Sequence, residues 1–531
     1  MLFNSNVNYM MSFYRKFVFV FVCLVFFSCK ENERKNAVKE EKKVVQSTVN
    51  MEAYRPQFHF TPAEKWMNDP NGLAYHKGVY HLFSQFYPDD IVWGPMHWGH
   101  ATSKDLVHWE HKPIALYPDK NGYIFSGSAV VDMENTSGFG SKENPALVAI
   151  FTYHDMEGER AGKTDFQTQG IAYSLDNGET FTVYEGNPVI KNNGIKDFRD
   201  PKVFWNAKNK NWTMLLVAGN HLQIWQSMNL VSWEKVSEFG KNKGAHGGVW
   251  ECPDLFKLKV GTTDEEKWVL LISINPGAPN GGSGTQYFVG DFDGKTFTSD
   301  QKEVKWIDWG TDNYAGVTYN NVPNNDRIFI GWMSNWSYAR DTPTEKWRSA
   351  MTVPRKLTLA KHSNEYQLIN YPIEDLGSIT STNFSESISI GGNSQMVISN
   401  NNLSQSEIKF KTSARNFSLN FQNDTGDDLR LKINGNENLF LLDRTKSGKV
   451  AFQEDFASVQ KMPIALLPEG EIEIRIVMDW SSIEVFINKG QYVMTAQVFP
   501  NSNYSKLVFE NNTDLDINLG QVTVSKIKSI W

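Results

Sequence analysis

The chain has 531 residues and a net charge of −7, and 13% of its residues are aromatic. The length indicates roughly two to four domains, and the 17 Trp, 34 Phe and 38 Gly suit a β-rich protein with many turns. Outside a short N-terminal region there is no long block of Lys and Arg, which argues against nucleic acid as a partner.

Residues 1–28 predict an export signal. Arg15 and Lys16 precede the apolar run FVFVFVCLVFFS, which is too short for a helix that spans a membrane. Ser28 followed by Cys29 resembles the lipobox of bacterial lipoproteins, although the two residues before Ser28 are bulkier than that pattern usually has. The resemblance implies cleavage before Cys29 and lipidation of its thiol, and plain secretion with cleavage elsewhere is the alternative. We therefore expect an exported bacterial lipoprotein, anchored in a membrane at the periplasmic face or the cell surface.

A charged segment follows and predicts a solvated tether over residues 29–53. Nine of the thirteen residues from Glu31 to Lys43 are charged and none is aromatic. Such a segment cannot bury enough apolar surface to order itself, so it would separate the anchor from the folded domains.

Cysteine and histidine usage predicts neither a disulfide framework nor a metal site. The sequence has the cysteines Cys23, Cys29 and Cys252, and removal of the first with lipidation of the second would leave Cys252 without a partner. His97 and His100 lie three residues apart, but no HExxH pattern accompanies them. We expect no metal and no cofactor.

A short phrase recurs through the first two-thirds of the chain. Each copy has a small residue, a turn built on Asp or Asn, and an aromatic residue, with alternating apolar flanks that predict a β-hairpin. The copies are SKDLVHW at 103, SLDNGETF at 174, SMNLVSW at 227 and GDFDGKTF at 290. Their spacing fits four-stranded propeller blades, and FSGSAVVD (125–132) and DNYAGVTY (312–319) occupy comparable places, which makes five units.

Three acidic residues precede these phrases at similar phase. Asp69 in WMNDPNG, Asp200 in DFRDPKVF and Glu251 in WECPDLF would lie on the innermost strands of different blades, and would converge at the mouth of the central channel. Asn, Asp, Pro and Gly in residues 68–72 predict a tight turn that fixes the direction of Asp69, and the alternative is an ordinary loop.

Three carboxylates in one funnel suit glycoside hydrolysis, which needs an ionised and a protonated carboxyl group across the scissile bond. Asp69 has a short side chain in a fixed position, which suits the role of nucleophile. Glu251 has Trp250 and Cys252 as neighbours in sequence, which predicts apolar surroundings that favour its protonated form. Asp200 follows Arg199, whose cation should hold it ionised.

Several motifs together resemble glycoside hydrolase family 32, which contains levanases, inulinases and invertases. The match covers nearly all of the chain after the tether. The motifs are WMNDPNG, RDP, WECPDLF, QFYP (85–88), WGPMHWGHATSKDLVHW (93–109), FSGS (125–128), GWMSNW (331–336), WRSAMTVPRKL (347–357) and, for the C-terminal module, DWSSIEVFINKG (479–490).

The resemblance implies an all-β protein, with a five-bladed β-propeller over residues 54–360 and a β-sandwich over 372–531. It also implies hydrolysis of β-fructofuranosides with retention of configuration, with Asp69 as nucleophile, Glu251 as general acid/base and Asp200 as transition-state stabiliser. Cys252 would tune its neighbour, and a small buried residue is an equally good interpretation. The implied substrate-binding residues are Asn68, Asn71, Gln85, Trp93, Phe125, Ser126, Arg199 and Trp336.

Substrate specificity is predicted from one further segment. NPGAPNGGSGTQYFVGDFDGKTF (275–297) resembles exo-acting inulinases and levanases more than plant invertases, so we expect single fructose units released from levan or inulin, with sucrose as a secondary substrate. The alternatives are an endo-levanase, a fructosyltransferase and a non-catalytic glycan-binding lipoprotein. SLDNGETF also matches the Asp-box of sialidases, but no arginine constellation accompanies it, and three acids would repel an anionic sugar.

The C-terminal third predicts the sandwich. EGEIEIRIVMDWSSIEVFINKG alternates with period two and places Ile472, Ile474 and Ile476 on one face, which predicts a half-buried strand, a turn and a second strand. We expect this module to support the propeller rather than to bind sugar.

Overall fold

The structure is a computed structural model that describes residues 51–362, 365–465, 467 and 469–531. The predicted signal peptide, the lipidation site Cys29 and most of the tether lie outside the described residues. Residues 51–55, the described part of a separate N-terminal unit, form bends and turns. Within the described ranges there is no helix long and apolar enough to cross a membrane. The fold below is that of residues 56–531.

Five antiparallel sheets follow one another along the first two-thirds of the chain. Blade 1 consists of β1 (Lys65–His76), β2 (Val79–Tyr87), β3 (His97–Ser103) and β4 (Trp109–Leu116). Blade 2 consists of β5 (Tyr123–Val131), β6 (Leu147–His154), β7 (Gln167–Ser174) and β8 (Thr182–Val183), with the short helix α1 (Met156–Arg160) after β6. Blade 3 consists of β9 (Phe198–Asn206), β10 (Asn211–Ala218), β11 (Leu222–Ser227) and β12 (Glu234–Phe239).

The last two blades are more irregular. Blade 4 consists of β13 (Val249–Lys259), β14 (Glu266–Asn275), β15 (Gly284–Phe292), β16 (Phe297–Thr298) and β17 (Lys305–Trp306). The remaining propeller strands are β18 (Tyr314–Thr318), β19 (Arg327–Met333), β20 (Trp347–Arg348), β21 (Ala350–Met351), β22 (Arg355–His362) and β23 (Glu365–Pro372). Of these, β20 pairs in parallel with β1, and the others form blade 5.

The five sheets form the predicted five-bladed propeller. The first strand of each blade, namely β1, β5, β9, β13 and β18, lies next to the first strand of the following blade, so these inner strands surround a central axis. A parallel bridge between Ala74 and Asn320 closes the ring, and β20 adds a second link from the end of the propeller to β1. Apolar cores fill the spaces between blades, because alternate side chains of each strand point toward opposite neighbours.

The four recurring phrases connect antiparallel outer strands, which confirms the hairpin prediction. They join β3 to β4, β7 to β8, β11 to β12 and β15 to β16. In the first phrase the hydroxyl of Ser103 accepts from the backbone N–H of Leu106 at 2.8 Å, and Asp105 Oδ1 accepts from that of His108 at 2.8 Å. Ser174 and Asp176 make equivalent bonds in the second phrase, so the small and acidic residues recur because they satisfy turn amides.

The prediction of a turn at WMNDPNG is wrong. These residues lie inside β1, where the pairing with β2 shifts register once between Met67 and Pro70 and again between Asn71 and Ala74. Gly72 has a φ of +56°, and a Cβ there would lie 2.6 Å from the ring of Phe83. Turn-forming residues therefore serve here to make strand bulges.

Residues after the propeller form two six-stranded sheets, which are the predicted sandwich. Their strands are β24 (Thr380–Ile390), β25 (Ser394–Ser399), β26 (Ser406–Thr412), β27 (Asn416–Gln422), β28 (Asp428–Asn434), β29 (Leu439–Lys446), β30 (Val459–Pro463), β31 (Ile472–Asp479), β32 (Ser482–Ile487), β33 (Tyr492–Gln497), β34 (Lys506–Asn511) and β35 (Ile517–Ile527). One sheet has the order β24-β35-β26-β31-β32-β33, and the other has the order β25-β34-β27-β28-β29-β30. Three 3-10 turns are described, at Pro323–Asn325, Glu374–Ile379 and Leu403–Gln405. The predicted propeller end at residue 360 falls within β22, and blade 5 continues to Pro372.

The strand predicted to be half-buried is buried on both faces. Ile472, Ile474 and Ile476 face the sandwich core, as the alternation predicts. On the opposite face Val477 and Phe486 pack into the core that also contains residues of blades 1 and 5. The sheet is therefore the layer by which the sandwich packs against the propeller, in agreement with the expected supporting role.

Buried ion pairs cross this junction. His59 Nδ1 lies 2.8 Å from Asp479 Oδ2, and His59 Nε2 lies 2.7 Å from Glu484 Oε1. Arg355 of β22 also pairs with Glu484, and its Nη1 lies 3.0 Å from Asp308 Oδ2. Burial opposes charge on His59, but its hydrogen bonds to the carboxylates of Asp479 and Glu484, together with their charges, outweigh burial and raise the pKa of His59 to about 9. The junction thus holds paired charges that would be costly to leave single.

Candidate active site

All five inner strands break register at the same level. In each strand two consecutive residues face a single residue of the neighbouring strand, which is the geometry of a β-bulge. The pairs are Asn68–Asp69 in β1, Phe125–Ser126 in β5, Asp200–Pro201 in β9, Cys252–Pro253 in β13 and Ala315–Gly316 in β18. Bulges redirect side chains, and here they occur at or beside every predicted acid.

Positive φ angles mark three of these bulges. Asp200 has a φ of 62°, Cys252 of 45° and Ala315 of 54°, in a region that non-glycine residues seldom occupy. Such a backbone conformation costs on the order of 1–3 kcal/mol per residue and tends to occur at functional sites. The fold therefore holds these side chains in place against a local conformational cost.

Asp69 is half-buried and is held by three donors. Ser126 Oγ donates to its Oδ2 at 2.7 Å, Asn68 Nδ2 donates to its Oδ1 at 3.1 Å, and the thiol of Cys252 lies 3.5 Å from Oδ2. Asn68 is fixed in turn because Trp66 Nε1 donates to its Oδ1 at 2.7 Å. Burial raises the pKa of Asp69 and the charge of Glu251 adds to the rise, whereas the hydrogen bond from Ser126 opposes it.

Asp200 is 5% exposed and accepts from the backbone N–H of Cys252 at 3.0 Å. The expectation that Arg199 holds Asp200 ionised is wrong, because burial raises the pKa of Asp200 to about 7. Arg199 opposes that rise, but Glu251 and Asp69 reinforce it. Arg199 Nε is 4.0 Å from Asp200 Oδ2, which is too far for a strong hydrogen bond.

Arg199 is bonded instead to two other carboxylates. Its Nη1 donates to Asp197 Oδ1 at 2.7 Å and its Nη2 donates to Glu251 Oε1 at 2.8 Å. Burial would lower the pKa of Arg199, but Glu251, Asp200 and Asp197 raise it above its ordinary value, so the guanidinium stays charged. The hydroxyl of Tyr314 donates to the second oxygen of Glu251.

The predicted apolar surroundings of Glu251 are therefore wrong in detail. Trp250 is fully buried and lies in the core between blades 3 and 4, where its Nε1 donates to Ala245 O at 2.9 Å. Adjacent residues of a strand point to opposite faces, so Trp250 points away from the pocket when Glu251 points into it. Glu251 contacts a cation and a phenol, both of which orient it.

Cys252 links two of the acids. Its thiol lies 3.5 Å from Asp69 Oδ2 and 3.6 Å from Asp200 Oδ2. Burial and the charges of Asp200, Asp69 and Glu251 raise the pKa of the thiol well above its ordinary value, so it stays protonated and acts as a donor. Both interpretations offered for Cys252 are compatible with this geometry, since it is buried and touches the acids.

The predicted substrate-binding residues lie in two groups. The first supports Asp69 and Ser126 from behind: Gln85 is 2% exposed and its Nε2 donates to Ile124 O at 3.0 Å. Asn71 is fully buried, and in the orientation that pairs donors with acceptors its amide lies 3.2 Å from Ser126 Oγ and 3.0 Å from Gln85 Nε2.

The second group consists of half-buried aromatic residues. Trp93 meets Phe125 edge to face, with ring centroids 6.0 Å apart. Trp336 stacks on Trp66 at 6.0 Å, and Phe125 stacks on His154 at 4.2 Å. Such rings offer apolar faces of the kind that pack against a sugar ring.

Sequence reasoning missed Tyr314 and Asp197, which position Glu251 and Arg199. Tyr314 lies in DNYAGVTY, whose phase was the usable signal for an inner strand, and the structure places it next to the bulge of β18. In the described part of the chain, no group of three or more His, Cys, Asp or Glu side chains is placed to hold a metal ion.

Comparison with protein families gives two adjacent matches. Residues 59–372 match the model of the glycosyl hydrolases family 32 N-terminal domain, and residues 374–528 match that of the family 32 C terminal. The first match covers the propeller and contains all three acids of the pocket, and the second covers the sandwich.

Individual relatives match over most of their length. The chain is 45% identical to the levanase of Bacillus subtilis (strain 168), over 90% of this chain and 71% of the relative. It is 43% identical to the extracellular exo-inulinase of Aspergillus ficuum, over 90% of this chain and 95% of the relative. The crystal structure of exo-inulinase from Aspergillus awamori superposes with a TM-score of 0.84 at 38% identity, and covers 91% of this chain and 100% of that structure.

Proposed function

The chain belongs to glycosyl hydrolase family 32, and on that basis we propose that its pocket hydrolyses β-fructofuranosidic bonds in fructans and in sucrose. One observation carries the proposal: three carboxylates from three blades meet, since the thiol of Cys252 bridges Asp69 and Asp200 and the guanidinium of Arg199, next to Asp200, donates to Glu251. Two carboxyl groups on either side of a glycosidic bond are sufficient for its hydrolysis, without a metal or cofactor.

Asp69 is the proposed nucleophile. Donors from Ser126 and Asn68 fix both of its oxygens, so the carboxylate does not need to reorganise when it attacks the anomeric carbon of fructose. The new bond joins Asp69 to that carbon while the bond to the leaving oxygen breaks. Water then attacks the same carbon, releases Asp69, and gives fructose with its original configuration.

Glu251 is the proposed general acid and base. In its protonated form it gives a proton to the leaving oxygen in the first step, and the resulting carboxylate takes a proton from water in the second. Arg199 and Tyr314 hold one oxygen each, so the direction of the side chain is set before substrate enters. Since Asp69 and Glu251 come from blades 1 and 4, they can occupy opposite sides of one sugar ring.

Asp200 is the proposed stabiliser of the transition state. Its carboxylate interacts electrostatically with both Asp69 and Glu251. Bound fructose brings hydroxyl donors to this carboxylate, which favours its ionised form and strengthens its interaction with positive charge at the ring.

Retention is tested directly by 13C NMR of the anomeric carbon in freshly released fructose. The proposal predicts that the β-furanose signal appears first and that the other forms grow in later by mutarotation. Initial release of the α-anomer would overturn the double displacement and leave an inverting hydrolase.

Exo-action on fructans is supported by the names of the relatives, an exo-inulinase and a levanase, each matched over 90% of the chain. With long levan or inulin as substrate, we expect free fructose from the earliest times and no intermediate oligosaccharides. Early oligosaccharides would identify an endo-levanase, and the faster of the two polymers gives the linkage preference. With concentrated sucrose, equal release of glucose and fructose is expected, whereas a large excess of free glucose would identify a fructosyltransferase.

We further propose that the chain is a membrane-anchored lipoprotein, cleaved before Cys29 and lipidated on its thiol. Support comes from the apolar run before Cys29 and the charged segment after it. The protein should partition into the detergent phase of a phase-separating detergent, and Cys29→Ala should move it to the aqueous phase with its activity retained. Aqueous partition of the unmodified chain would point to plain secretion. Protease treatment of intact cells distinguishes the cell surface from the periplasmic face.

A further inference from the structure

A cavity of about 590 Å³ lies at the opposite end of the propeller from the three acids. It is formed by blades 3, 4 and 5 at the carboxyl-terminal ends of their inner strands, whereas the acids lie near the amino-terminal ends. From Asp200 to Asn206, which lines the cavity, β9 runs for six residues, or about 20 Å. The volume falls within the range of ~300–1,000 Å³ that is typical of ligand pockets.

The cavity is separated from the catalytic pocket by a polar plug on the axis. Lys202 Nζ donates to Thr318 O at 2.5 Å and lies 3.2 Å from Asp254 Oδ2. Asn320 Nδ2 lies 2.8 Å from Ala129 O and donates there from the other side of the axis. Since Asp254 and Asn320 also line the cavity, the plug is its floor, and the cavity is a site of its own.

Two polar atoms of the lining are left without partners in the described structure. Asp254 is 1% exposed, and its Oδ2 accepts from Thr318 N at 2.6 Å and Thr318 Oγ1 at 2.8 Å, while its Oδ1 has no hydrogen-bond partner. Arg327 also lines the cavity, and its Nε is buried without an acceptor. Each unpaired buried polar group costs about 1–3 kcal/mol. Both atoms are buried beneath the cavity surface, so they mark a polar and incompletely satisfied wall rather than points of direct ligand contact.

The remaining lining combines aromatic rings with charges that nearly cancel. Trp268 contacts Phe292 edge to face at 5.1 Å and lies 5.9 Å from the ring of Phe204. The charged lining residues comprise three basic and four acidic side chains: Lys208, Lys257, Arg327, Asp254, Glu266, Asp293 and Asp326. Mixed charge disfavours a strongly anionic or cationic ligand. Aromatic rings and exposed asparagines suit a neutral, polyhydroxylated one.

We propose that this cavity binds a neutral oligosaccharide, and that it serves as a second, non-catalytic binding site for fructan chains. That the ligand is a fructan rests on the proposed function, whereas that it is a neutral oligosaccharide rests on the lining of the cavity. Trp268, with Lys257 Nζ over its ring at 6.0 Å, provides an aromatic and cationic wall for the sugar ring, and the asparagines and charged side chains of the lining provide partners for hydroxyl groups. A chain bound there keeps polymer on the enzyme while the catalytic pocket, on the other face, releases and rebinds ends.

The test uses the full chain with Asp69→Asn, so that short levan and inulin oligosaccharides are bound without being consumed. Isothermal titration should give two binding events per chain. Trp268→Ala and Arg327→Gln, each added separately, should weaken one event by at least about tenfold, the effect of one lost hydrogen bond or ring contact. Trp233→Ala, on the outer edge of blade 3 and outside the cavity, is the matched control and should leave both events unchanged. Arg327→Gln keeps the proposal testable if Trp268→Ala fails to fold.

One binding event in every variant would mean that the cavity holds only water and would overturn the proposal. Two events that neither substitution alters would place the second site elsewhere and would also overturn it. In chains with Asp69 intact, Trp268→Ala should leave turnover of sucrose unchanged and slow the hydrolysis of dilute polymer. Turnover of sucrose, levan and inulin by the unmodified chain tests the proposed function alone, so the absence of turnover on all three, with both binding events present, would reject that function and retain the cavity.

Discussion

Replacement of Asp200 by asparagine should make the fold more stable at alkaline pH while it removes activity. The folded state raises the pKa of Asp200 from 3.8 to about 7, because the carboxylate is buried beside Glu251 and Asp69. The folded state therefore holds the proton more tightly than the unfolded state does. The resulting stability is fully present below the unfolded value of 3.8 and is lost as pH rises through about 7.

The magnitude follows from the two pKa values. At 1.36 kcal/mol for each pKa unit, the complete effect is about 4 kcal/mol, of which about 3 kcal/mol is lost between about pH 5 and about pH 8. Asparagine does not titrate, and its side-chain oxygen can still accept from the N–H of Cys252. The variant should therefore avoid that loss, as is common where a functional group is kept at the expense of stability.

The assay is denaturant unfolding of both proteins at the two pH values. The quantity of interest is the change in unfolding free energy between pH values, compared between wild type and Asp200→Asn, because titrating groups that do not interact with Asp200 cancel in that difference. Asp264→Asn, at an exposed carboxylate of blade 4, is the control and should behave as wild type. If the free energy of unfolding falls by the same amount with pH in wild type and in Asp200→Asn, then Asp200 is already ionised near pH 5. Arg199 would in that case be its counter-ion, as the sequence predicted.

Three further substitutions test the supports of the site and of the domain junction. Ser126→Ala removes the donor at 2.7 Å from Asp69, and loss of that hydrogen bond raises the pKa of Asp69. We therefore expect kcat/KM to fall about tenfold to a hundredfold and the acid limb of its pH profile to move to higher pH. An acid limb at the wild-type pH would contradict the role of Ser126. Tyr314→Phe should lower kcat about tenfold with little change in KM, whereas Tyr319→Phe, whose hydroxyl has no partner within the described structure, should have no effect; equal losses in both would indicate a general packing defect. His59→Gln should lower the free energy of unfolding by about 3 kcal/mol at neutral pH. In wild type this contribution is present below pH 6.5 and is lost as pH rises through about 9. A difference in stability between wild type and variant that does not depend on pH would contradict the charged state of His59.

Phase along the chain was sufficient to predict the propeller and the meeting of its acids. The recurring phrases are outer hairpins because small and acidic side chains satisfy turn amides there, and that requirement is local in sequence. Once the hairpins define the blades, the inner strands follow by counting. Asp69, Asp200 and Glu251 then fall at one level of the axis, where the structure places them.

What could not be predicted depends on contacts between blades. Asn-Asp-Pro-Asn-Gly suits both a turn and a bulge, and only the partner strand β2 decides which one forms. Neighbours in sequence suggested Arg199 for Asp200 and Trp250 for Glu251. In the fold Arg199 bonds Glu251 across 52 residues, and Trp250 points into a different core. The sequence likewise could not show that β31 is buried on its second face, because the residues that cover this face belong to the propeller.

Sugar release by the unmodified chain and by Asp69→Asn, measured on sucrose, levan and inulin, tests the central claim most directly. Circular dichroism and unfolding midpoints of both proteins establish that the pocket alone has changed. The account predicts that the substitution lowers turnover on every substrate by several powers of ten while the fold is retained, because the carboxylate that attacks the fructose ring is gone. Turnover by the folded variant at the wild-type rate would contradict the assignment of Asp69, and with it the pocket of three acids as the site of reaction.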